Sequence, residues 1–251
     1  MQSTLVKHNK FFKAGHATSF DTAKKYAVSC DADSSEYARV VDPGFITTGD
    51  FAFTMSFRYN DGIGASGPFF ITNGFTARMS LSNGTIRIAI ADGTGNAARI
   101  DTNNDLGDGD WHTIVISCDR DGDMDYYEDY DGIGGGYTES VDISSVTASL
   151  EDAGSNDNWY FGFDGSTRYA GIDIDQIAFW DDKFTELSAI ILYLQLNKNI
   201  EIDNIGGIPN SSLICYWKCN EGTGVSVAND GSESDELVLR NTPTWITDGM
   251  I

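Results

Sequence analysis

Basic residues are scarce in this chain. Only 16 of its 251 residues are lysine or arginine, against 38 aspartates and glutamates, a formal net charge of -22. A surface of that sign repels phosphate backbones and anionic headgroups, which argues against nucleic acid or a membrane surface as partner. Long apolar runs are missing too. No stretch reaches the roughly 18 apolar residues that a membrane span needs. Cysteine is rare: Cys30, Cys118, Cys215 and Cys219 are too few to staple a chain of this length. They also lack the two CxxC halves of a structural zinc site. There are 3 histidines and no Gly-x-Ser-x-Gly elbow, so no hydrolase triad is in view. Proline is limited to 4 residues while glycine reaches 27, a balance that suits many tight turns between strands.

What is present alternates with period two. YAVSC (26–30) reads as a strand ended by DADSSE. In DFAFTMSFRY (50–59), Phe51, Phe53, Met55, Phe57 and Tyr59 share one face. Asn73-Gly74 and Asn83-Gly84 mark turns, and the second lies between ARMSLS and TIRIAIA, a strong hairpin signal. In WHTIVISC (111–118), His112, Ile114, Ile116 and Cys118 share a face. MDYYEDY, NWYFGFDG and AGIDIDQIAFW add further strands. One helix is expected from Thr185 to near Leu196, because Leu187, Ile190, Ile191 and Leu194 form an apolar stripe behind an N-cap. The fold class is therefore all-β: a two-sheet antiparallel jelly-roll sandwich with one short late helix. Residues 21–251 form one domain, preceded by an N-terminal arm over residues 1–20. The arm carries three lysines and no apolar stretch of a secretory signal.

CYWKCNEGTG (215–224) resembles a metal clip at first reading. Alternation instead puts Cys215, Trp217 and Cys219 on one buried face of a strand. The four cysteines are expected as core thiols, since free cysteine behaves as a small hydrophobe.

Five segments in order resemble the laminin G-like branch of the concanavalin A-like lectin/glucanase sandwiches, which includes the pentraxins. They are YAVSCDADSSEYARV, TGDFAFTMSFRY, DGDWHTIVISCD, GIDIDQIAFWDDKFTELSAIILYL and CYWKCNEGTGVSVANDGSES. Together they span roughly residues 20 to 247. The departures are Cys30 for a phenylalanine, Ala32 for a glycine and Cys219 for a phenylalanine. The resemblance implies a calcium site of hard oxygen ligands at Asp31 and Asp33 in the first turn, with Asp173 and Asp175 near the late strand. A solvated acidic rim is the alternative.

Asp119, Asp121 and Asp123 fit the first positions of an EF-hand loop, but Met124 stands where glycine is needed and Tyr130 where glutamate is. Glucanases on this fold use a Glu-x-Asp-x-Glu strand. Glu201 with Asp203, or Asp125 with Asp129, falls short of that pattern. Sugars need aromatic platforms and planar polar groups. Aromatic residues cluster between 125 and 170, and Tyr127, Tyr130, Trp159, Arg168 and Tyr169 are the expected glycan contacts, with residues 154–158 as a variable rim. The resulting expectation is a non-catalytic lectin-like adhesion or decoration protein displayed on a large assembly, a phage virion surface. Phe11 and Phe12 in the arm would anchor it to other subunits. The alternative is an extracellular calcium-dependent glycan-binding module; a glycoside hydrolase or lyase lacks its carboxylates.

Overall fold

A computed structural model describes residues 26–41, 44, 48–60, 67–72, 75–80, 84–103, 106–129, 137–150, 158–184 and 212–247. The arm, the expected helix and residues 201–203 lie outside them. In chain order the strands are β1 (Ala27–Cys30), β2 (Tyr37–Val40), β3 (Phe51–Tyr59), β4 (Gly67–Ile71), β5 (Phe75–Ser80), β6 (Thr85–Ala91), β7 (Ala97–Asp101) and β8 (Trp111–Cys118). Then come β9 (Asp123–Glu128), β10 (Tyr137–Asp142), β11 (Trp159–Phe161), β12 (Ile172–Trp180), β13 (Leu213–Trp217), β14 (Ser226–Val227), β15 (Leu237–Arg240) and β16 (Thr244–Ile246).

They form two antiparallel sheets. The first has the order β10-β9-β8-β3-β12-β1-β16, with β13 also on β12; the second runs β14-β15-β2-β11-β4-β5-β6-β7. Consecutive hairpins at the sheet edges alternate with pairs far apart in sequence, such as β3 with β12 and β2 with β15, as in a jelly roll. The all-β sandwich expected from the alternation is the observed fold.

Alternation builds the core between the sheets. Phe51, Phe53, Met55, Phe57 and Tyr59 are all buried on β3, opposite β4 and β11. Phe53 stacks on Phe70 at 5.1 Å between centroids, Phe70 on Phe161 at 4.9 Å, and Trp159 tilts against Phe179 at 4.3 Å. Each sheet contributes rings to this stack, so it ties one sheet to the other. Each large apolar side chain buried here contributes roughly 1.5–3 kcal/mol of hydrophobic stabilisation.

β12 departs from simple alternation. Ile174 pairs with Phe57 and Gln176 with Ser56, so Asp175 is the extra residue of a β-bulge. Were β12 regular through this same sequence, Ile172 and Ile174 would face the core while Ile177 and Phe179 faced away. The bulge resets the parity, and all four are fully buried.

The cysteines are core thiols: all four are free and buried. Burial pushes the thiols of Cys30, Cys118 and Cys215 up, away from the reactive range. One detail differs from the sequence reading. β13 stops at Trp217, and Cys219 reaches the core from a left-handed turn position, φ 52°.

Candidate functional site

Strand parity sends Ala38, Val40, Trp159 and Phe161 into the core and leaves Tyr37, Arg39 and Tyr160 on the outer face of the second sheet. Tyr160 stands opposite Arg39 in the register. Past β11 the chain makes a tight excursion. Gly162 takes φ +80°, Phe163 bridges Tyr169, and the Asp164 N–H donates to the Arg168 carbonyl at 3.0 Å. This returns Phe163 and Tyr169 beside the outward tyrosines.

Four rings meet there. Phe163 stacks on Tyr169 at 4.6 Å and 18°, and lies 4.7 Å from Tyr37. Tyr160 meets Phe163 edge-on at 5.3 Å, and Tyr37 lies 6.0 Å from Tyr160 and 6.1 Å from Tyr169. Phe163 is buried beneath the cluster, while the three tyrosines are half-buried and reach solvent. Asn158 Nδ2 donates to the Tyr160 hydroxyl at 3.1 Å.

The loop beside the rings is held by one carboxylate. Asp164 Oδ1 accepts from the backbone N–H groups of Ser166, Thr167 and Arg168 and from the Ser166 hydroxyl. Its Oδ2 accepts from Arg168 Nε at 2.6 Å. Burial opposes ionisation, but these donors outweigh it and hold the Asp164 carboxyl well below the usual range. The result is a pre-ordered loop with Arg168 at its rim. A rigid aromatic patch edged by a guanidinium can stack on the apolar face of a sugar ring and donate to its hydroxyls.

Of the glycan contacts expected from sequence, Arg168 and Tyr169 belong to this patch. Trp159 does not: it is 1% exposed and packed on Phe70 and Phe179, because its strand position points inward. Tyr127 is half-buried on β9, in the other sheet. Tyr130, Phe11 and Phe12 lie outside the described residues. Tyr37, Tyr160 and Phe163 were not among the expected contacts. Tyr37 was accessible to parity, since YARV alternates outward Tyr37 and Arg39 with inward Ala38 and Val40. Phe163 had no local signal, as its place depends on the turn at Gly162.

The four aspartates expected to hold calcium are not assembled into one site. Asp31 folds back on its own turn, accepting from the Asp33 N–H at 2.9 Å and the Ser34 hydroxyl at 3.2 Å. Asp33 is exposed. Asp173 Oδ2 accepts from Arg58 Nε and Nη2, at 2.8 and 2.6 Å, while its Oδ1 takes Asn60 Nδ2. Asp175 is the buried bulge residue of β12. Among the described residues no three His, Cys, Asp or Glu side chains form a metal-holding group. The set therefore does not fit a calcium ion. A guanidinium occupies the oxygen that a cation would need.

The EF-hand-like run is a strand turn. Asp119 Oδ2 accepts from Lys183 Nζ at 2.5 Å, and the Gly122 N–H returns to the Asp119 carbonyl. His112 is a clamp at the start of β8. Its Nδ1 meets Asp129 Oδ2 at 2.5 Å and its Nε2 meets Asp108 Oδ1 at 2.9 Å. Burial disfavours its charge, but bonds to both carboxylates win and raise its pKa from 6.5 to about 9.

No protein-family model matches the chain, and no curated protein matches it. Solved structures share its fold. An inferred carbohydrate-binding protein from Bacteroides ovatus superposes with a TM-score of 0.61 at 16% identity, over 91% of this chain. The chain spans 62% of the length of that structure. A heptameric SAP-like pentraxin from Limulus polyphemus aligns over 69% of this chain and 82% of its own, with 13% identity and a TM-score of 0.47. The binding domain of Paraclostridial Mosquitocidal Protein 1 aligns over 60% of this chain and 38% of its own, with 14% identity and a TM-score of 0.47. The likeness is one of fold, a jelly-roll sandwich, and does not single out the laminin G-like branch.

Proposed function

We propose that this chain is a non-catalytic carbohydrate-binding module, with Tyr37, Tyr160 and Tyr169 as the sugar platform and Arg168 as its polar edge. The carrying observation is the four-ring cluster on the outer face of the second sheet, open to solvent at three tyrosines and braced by the Asp164 loop. Tyrosine presents a stiff, amphipathic ring at small entropic cost, which suits a platform for a ring ligand. The fold shared with the Bacteroides ovatus protein supports the same reading.

Screening the full chain against a broad glycan panel, with Tyr37→Ala and Tyr160→Ala alongside, tests it. Selective binding that each substitution weakens about tenfold, with the melting temperature little changed, is the expected result. Glycan binding that ignores both substitutions would move the site elsewhere.

A further inference from the structure

The outer face of the second sheet continues well beyond the tyrosines, and its charge is opposite to that of the molecule. Across the register Val238, Arg39, Tyr160 and Ile71 are successive partners, and the same row ends at Arg99 on β7. In the adjoining rows Arg240 stands opposite Tyr37, and Arg87 opposite Asp101. Arg78 pairs with Arg87 in the register. Among the described residues at outward positions of this sheet, Asp101 is the one carboxylate. It is shared, at 2.6 Å from Arg87 Nε and 2.7 Å from Arg99 Nε, with both guanidiniums more than half exposed. Arg39 and Arg240 have no carboxylate partner among the described residues; the Nε of each is buried without an acceptor, which leaves the terminal nitrogens as the part of the fork that an incoming ligand can reach. A guanidinium left so is a ready site for an oxyanion, because the planar fork binds one through two parallel bonds.

A cationic, tyrosine-bearing face on a chain of net charge -22 concentrates the few basic groups where a ring ligand would lie. We infer that the ligand is an acidic polysaccharide, one carrying carboxylates or sulfates along a chain of sugar rings. This rests on the carbohydrate-binding reading and narrows it to a ligand class. Charge spacing favours a polysaccharide over nucleic acid. Arg39 and Arg99 are five inter-strand steps apart, about 24 Å at the usual strand spacing. Duplex DNA carries a charge about every 1.7 Å and would be repelled by the rest of the surface. A glycan bears its acids further apart and places neutral rings between them, which matches arginines separated by Tyr37 and Tyr160.

The test titrates the full chain with polygalacturonate, chondroitin sulfate, neutral dextran of similar length and a single-stranded oligonucleotide, at low and moderate salt. At least one acidic polysaccharide should bind tenfold or more tightly than dextran and weaken as salt rises. R39Q/R240Q should lower that affinity about tenfold, and R39K/R240K should restore part of it. Melting curves confirm that each variant folds. Unchanged acidic-glycan binding by folded R39Q/R240Q would overturn the inference, as would an oligonucleotide bound as tightly as the glycans. Dextran bound as well as the acidic polymers, and lost with Tyr160→Ala, would sink the acidic ligand and leave the carbohydrate reading standing. No binding to any of the three polysaccharides would reject the inference, and a blank on the broad glycan panel would then reject both.

Discussion

Trp159 and Tyr160 are adjacent in sequence and meet opposite fates. One packs between Phe70 and Phe179; the other turns to solvent beside Arg39. Trp159→Ala should cost about 3–5 kcal/mol, read by denaturant unfolding, because it empties the aromatic stack between the sheets. Tyr160→Ala should cost under about 1 kcal/mol and spare the fold. Equal losses would mean that parity at β11 has been misread. His112 gives a prediction in pH. Its pKa is raised above the unfolded value, so its stabilisation is full below about pH 6.5 and is lost as pH rises through about 9. The contribution is on the order of 2 kcal/mol, since Asp108 and Asp129 are partly solvated. His112→Gln should flatten the fall in melting temperature across that window; parallel curves for the two proteins would remove the clamp. At this scale the sequence showed that aromatics gather between 125 and 170, but not which of them point outward. That depends on the register that assigns each strand position to a face. The partner of Asp173 was hidden for a related reason, since Arg58 lies far from it in the chain and meets it only once β3 pairs with β12.

β12 shows what a single inserted residue can decide. The bulge absorbs Asp175, so Ile172, Ile174, Ile177 and Phe179 all stay on the core face while the strand pairs with β3 along its whole length. Deleting Asp175 should remove the bulge and leave Ile172, Ile174, Ile177 and Phe179 in plain alternation on the core face, so the variant should keep a cooperative thermal transition. Asp175→Asn keeps the residue count and should retain a cooperative transition. A deletion variant without a cooperative transition would show that the fold needs the bulge itself, not only the inward register of these four residues. The strands themselves were legible, because the period-two segments Phe51–Tyr59 and Trp111–Cys118 are observed as paired strands of the first sheet. The bulge was not, because GIDIDQIAFW reads as alternating until its partner fixes where the parity changes. The early end of β13 was hidden in the same way, since Cys219 departs from the strand through its backbone, not its side chain.

Across the whole molecule, negative charge outweighs positive by a wide margin. A net charge of -22 loads the surface with self-repulsion, relieved locally by pairs such as Lys183 with Asp50 and Asp119. Added salt should therefore raise the melting temperature, most steeply between about 0.01 and 0.1 M, where the screening length falls from roughly 30 to 10 Å. A melting temperature that falls with salt would mean that attractive pairs outweigh repulsion. The acidic composition was plain in the sequence; that the second sheet gathers arginines on one face was not, because they come from strands far apart in the chain.

The pairing of β1 with β16 places Ala27 directly opposite Ile246. The first and last described strands are thus neighbours, about 5 Å apart across an antiparallel ladder. A protein engineer could graft residues 27–246 into a surface loop of another protein without prising that loop open, or join the two ends by a few residues and cut the chain anew elsewhere.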